Sequence, residues 1–71
     1  MEYLLVGFTD KRRVIIDDVD SGQYTGDVIE LEAGHHDITL SGTEDFVPKK
    51  KPIILRDTTE LGPMEVHFEK K

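Results

Sequence analysis

The 71-residue sequence has no cysteine, a single alanine and no long apolar run. Each shortage removes an option. Without cysteine, neither a disulfide nor a thiolate zinc site can hold the chain together. With Ala33 alone, the residue type best suited to helices is nearly missing. No apolar stretch approaches the roughly 20 residues that a membrane-spanning helix needs. The opening "MEYLLVGFTDKRR" carries an acid at its second position and only a short apolar run before Gly7, unlike a secretory signal. The expectation is a soluble chain without membrane insertion, cytoplasmic as given and extracytoplasmic if cut from a longer protein. Positive charge is scarce too, with 9 Lys and Arg against 15 Asp and Glu, a net charge of −6. An acidic surface repels a phosphate backbone, so nucleic acid is not an expected partner.

What is present points to strands. Eighteen residues are β-branched Val, Ile or Thr, which suit a pleated surface. Glycines and prolines punctuate short apolar runs, the pattern of many strands with frequent turns. Six strands can be placed, at about Glu2 to Phe8, Arg12 to Asp17, Val28 to Glu32, His36 to Ser41, Lys51 to Arg56 and Met64 to Glu69. The stretches "DDVDSGQYTG" and "GTEDFVP" read as polar connections, the second with Phe46 inside it. The spacing predicts one all-β domain over residues 1–71, a small antiparallel β-sandwich of about six to seven short strands. A chain of this size buries only about 60% of its unfolded surface, so dimerisation or assembly into a longer chain would help it.

Alternation assigns the faces. Ile29 and Leu31 share one side of their strand, and so do Ile38 and Leu40, and Val66 and Phe68. With Ile16, Ile53 and Leu55 they form the predicted core. The first strand, "YLLVGF", is apolar on both sides, so either Leu4 and Val6 or Tyr3 and Leu5 point inward. Alternation also leaves Ile15, Val28 and Ile54 facing outward, and these three are the candidate partner surface.

"AGHHDITL" holds the residues that most invite a chemical interpretation. Neighbouring residues on a strand point to opposite faces, so His35 and His36 cannot easily share a metal. His36 lies on the side of Ile38 and Leu40 and is expected to be buried or half-buried, its ring bonded to backbone in the adjacent loop. His35 is expected in solvent. Gly34, after Ala33, makes the tight turn into this strand. Both Gly34 and His36 are therefore fold residues.

The run "VIIDDVDSGQYTGDVIELEAGHHDITLSGTEDFVPKKKPIIL" resembles a PEGA domain. Val14, Ile16 and Asp17 match that family's first strand. Leu31, Gly34, His36, Ile38 and Leu40 match its Leu-x-x-Gly-x-His-x-Ile-x-Leu centre, and Gly42, Phe46, Ile53 and Leu55 match the remainder. The chain departs from the family at Asp18, where glycine is usual, and at Thr25-Gly26, where Thr-Pro is usual. The resemblance implies a small non-catalytic β-sandwich, typically embedded in bacterial surface or signalling proteins. It also implies that His36 belongs to the fold.

Weaker motifs have plain structural readings. Asp17, Asp18 and Asp20 echo part of a calcium loop, but Ile29 stands where that loop needs its glutamate, which leaves ordinary Asx turns or at most weak cation binding. "KRR" at Lys11–Arg13 and "KKK" at Lys49–Lys51 could gather an anion. Lysines beside Pro48 and Pro52 are also a common way to blunt an edge strand. There is no nucleophile with a base beside it and no phosphate-binding glycine loop, so the chain is not expected to be an enzyme or to hold a cofactor. The size leaves little room for a small-molecule pocket. The expected job is a protein-interaction or structural module with a protein partner or a homodimer. The alternative is a carbohydrate- or ligand-binding sandwich, for which only Tyr3, Tyr24 and Phe46 supply aromatics.

Overall fold

A computed structural model describes all 71 residues. It is all-β, with nine short strands: β1 Glu2–Gly7, β2 Arg13–Ile16, β3 Val19–Tyr24, β4 Val28–Leu31, β5 Gly34–Leu40, β6 Phe46–Val47, β7 Lys51–Leu55, β8 Met64–His67 and β9 Glu69–Lys70. They form a three-stranded sheet of order β4-β1-β8, a four-stranded sheet of order β3-β2-β5-β7, and the small pair β6-β9. One pairing is parallel, β1 with β8, which sets Val6 beside Val66. The other ladders are antiparallel.

The two larger sheets close on one core. The first contributes Leu4, Val6, Ile29, Leu31 and Val66; the second contributes Val14, Ile38, Leu40, Ile53 and Leu55. Phe46 and Phe68 complete it, with Phe8, Ile16 and Met64 packed against its margin. Period-2 burial is clearest in β4 and β7, where every second residue is buried and the residues between are exposed. It also settles β1 in favour of Leu4 and Val6.

Two segments differ from the sequence expectation. "DDVDSGQYTG" is not a connection, because Val19–Tyr24 turns back along β2 as an edge strand. The turn is two residues long, with Ile16 opposite Val19. Asp17 and Asp18 take φ of 52° and 65°, the positive values a primed hairpin turn requires at both central positions. Phe46 is not a loop residue either. It lies in β6, nearly inaccessible, with its ring edge-on to Phe8 at 6.1 Å and to Phe68 at 5.7 Å. The Val47–Pro48 peptide that follows is cis.

Candidate functional site

His36 is the best-organised polar side chain. Its strand position turns it toward the β2–β3 turn, and its side chain is only 14% exposed against 62% for His35. Nδ1 lies 2.8 Å from Asp17 Oδ2, and Nε2 lies 2.8 Å from the Glu32 carbonyl. A carboxylate and a carbonyl can only accept, so both ring nitrogens donate and the ring is an imidazolium when both bonds form. Burial pulls the His36 pKa down, but the Asp17 and Glu32 acceptors outweigh it and the net shift is upward. Asp17 is held below the usual carboxylate range by the Asp37 amide first and His36 second. That amide donates to Asp17 Oδ1 at 2.8 Å, while the Asp17 amide donates to the Asp37 carbonyl at 2.9 Å. The pair therefore pins the hairpin turn to β5.

Gly34 opens β5 at φ +118°, with open space where a Cβ would stand. Glycine is required there by backbone conformation and not by crowding.

A second cluster surrounds Arg12. Its guanidinium donates to the carbonyls of Ser41 and Thr43 at 3.3 and 3.2 Å, to Asp45 at 2.8 Å and to Asp10 at 3.4 Å. Lys70 of β9 joins both carboxylates. Asp45 Oδ1 is buried without a partner, so the carboxylate is neutralised through its other oxygen. Arg12 and Lys70 also stand over the Phe8 ring, at 5.4 and 6.0 Å. This cluster ties two loops and the last strand above the aromatic group. Nothing in the sequence distinguishes Arg12 from its basic neighbours, and the cluster was not legible there.

The basic runs do not form one patch. Lys11 and Arg13 flank the Tyr24 ring at 4.8 and 5.3 Å, and Arg13 also reaches Asp20. Lys50 pairs with Asp18 at 2.9 Å. Asp17, Asp18 and Asp20 thus answer to His36, Lys50 and Arg13 respectively and do not converge. No group of three or more His, Asp or Glu is placed to hold a metal ion. Of the three aromatics available to a sugar platform, Phe46 is in the core, and Tyr24 is half-buried between two cations.

Ile15, Val28 and Ile54 do not form one surface. Ile15 is half-buried on the four-stranded sheet, opposite Thr39. Ile54, on the same sheet, is 64% exposed at the β7 edge, opposite His35. Val28 is 45% exposed on the other sheet, at the β4 edge, with half-buried Leu5 beside it. An open groove of about 440 Å³ beside Ile54 is lined by His35, Lys51, Pro52, Ile53, Ile54 and Met64. A second, mostly polar hollow of about 380 Å³ runs from Gly7 to Lys11 and along Thr25, Gly26 and Asp27.

No family model matches the chain, and no curated protein or solved structure shows significant similarity to it.

Proposed function

We propose that this chain is a non-catalytic PEGA-like module that serves protein interaction or structural assembly. The observation that carries this reading is the saturation of His36. The one histidine that sits on an inward face has both ring nitrogens committed to holding a turn and a loop. The Arg12 cluster is spent in the same way, on loop carbonyls and carboxylates. The chemically capable side chains act as staples, which leaves the exposed sheet edges as the surface able to meet another molecule. The departure at Asp18 also supports the family likeness. Its φ of 65° is a value glycine adopts freely, so the backbone keeps the shape for which the family uses glycine.

The test is the stability of His36→Gln. An amide can still fill space, but it cannot supply two donors in the imidazolium geometry. A loss of about 1–3 kcal/mol in chemical denaturation is expected, as for a buried hydrogen-bonding group deprived of its partner. Unchanged stability would mean that His36 is not a staple and would reopen a chemical role for the ring.

A further inference from the structure

The two most exposed apolar strand edges carry opposite charge. On β7, Ile54 is flanked by Lys51 and Arg56, both exposed and neither in an ion pair. On β4, Val28 is followed by Glu30 and Glu32, likewise exposed and without a cation within ion-pair distance. Each strand is the last in its sheet. The β7 edge retains usable backbone despite Pro52. A proline cannot donate, so its pairing with Asp37 must be one in which its nitrogen points away from β5. Ile54, two residues on, therefore directs its own N–H and C=O to the open side.

We infer that the β4 edge of one copy docks on the β7 edge of a second copy, with Val28 against Ile54 and its groove and the two glutamates facing Lys51 and Arg56. The reading of the chain as an interaction module is assumed; the new element is the partner. Self-pairing of like edges is disfavoured, since β7 on β7 would bring Lys51 and Arg56 against their own kind, and β4 on β4 would do the same for Glu30 and Glu32. The other two edges are less open. β3 carries a register shift against β2, and the β8 glutamate Glu65 already faces His67 at 3.5 Å. Because β4 and β7 are different surfaces, the contact is head-to-tail and forms short chains or a ring. Two short edge strands bury little area, so the association is weak, and salt screens it.

Sedimentation velocity of the whole chain from about 10 µM to 1 mM covers the weak regime expected for so small a contact. In low salt the average mass should rise with concentration above the 8.1 kDa of one chain, and 0.5 M NaCl should return it to that value. Lys51→Glu with Arg56→Glu makes both edges acidic, and Glu30→Lys with Glu32→Lys makes both basic. Each variant alone should associate at least about tenfold more weakly than the parent, and an equimolar mixture should recover association. Matching far-UV dichroism spectra show that the variants are folded. A parent that stays at 8.1 kDa at 1 mM overturns the inference without any variant. So does a mixture no more associated than its parts, or a variant that associates like the parent. None of these results bears on the stability of His36→Gln, so the two ideas fail separately.

Discussion

Both nitrogens of the His36 ring face acceptors, and this gives the protein a defined pH dependence. The folded-state pKa of His36 is raised above the usual 6.5, so its stabilising contribution is complete below that value and disappears as pH rises through the folded value. The Asp17 pKa is lowered from the usual 3.8, so its contribution is present above that value and is lost on acidification. The pair should therefore help most from about pH 4 to pH 6.5, between those two ordinary values. A thermal midpoint that declines from pH 6 to pH 8.5 is expected, with a smaller decline in His36→Gln; equal slopes would contradict it. One residue away, Asp18 holds a left-handed conformation that costs most residues about 1–2 kcal/mol and aspartate somewhat less. Asp18→Gly converts the turn to Asp-Gly, a favoured sequence for a primed hairpin. It forfeits only the exposed pair with Lys50, which contributes little. The urea midpoint should rise, by the equivalent of about 0.5–1 kcal/mol.

At the scale of elements, the strands that alternate cleanly were legible in the sequence. "DVIELE", "KKKPIIL" and "PMEVHFE" each show which residues face inward, and Ile29, Leu31, Ile53, Leu55, Val66 and Phe68 are all buried. β3 was not legible, because "VDSGQY" has almost nothing to bury and is held by backbone pairing to β2. Its turn also lacks the usual glycine. Phe46 was missed for a related reason: a single aromatic among polar residues has no period to read, and its burial comes from Phe8 and Phe68, far away in sequence. Phe46→Ala should therefore cost about 3–5 kcal/mol, as for a buried core phenylalanine, although its strand is two residues long. A cost below 1 kcal/mol by denaturant titration would show that the aromatic group is peripheral. Among the fold residues of the candidate site, alternation placed His36 near the core and His35 in solvent. It could not reveal the Asp17 contact, which depends on the return of β2 beside β5.

Across the whole molecule, faces could be assigned from sequence but neighbours could not. Alternation shows that Val28 and Ile54 both point outward and is silent on whether they share a sheet. They do not, and an apparent single patch becomes two edges of opposite charge. The same limit applied to β1. Its apolar character on both sides fits a central strand, but nothing in "YLLVGF" specifies that one neighbour runs parallel to it. The loop after β7 is fastened to this strand by Thr58, whose hydroxyl accepts from the Tyr3 amide at 2.7 Å and donates to Glu2 at 2.6 Å. These are contacts that residue types alone could not forecast.

The pairing of β1 with β8 also orders events while the chain is being made. β1 gains its first neighbour once Leu31 has been added and its second only with the segment that begins at Met64. The interval is 33 residues, from 64 minus 31, or about 2–7 s at roughly 5–20 residues per second. During that time one flank of an apolar strand stands open on the nascent polypeptide. The ribosome-bound intermediate, rather than the finished molecule, is then the form with most need of a chaperone.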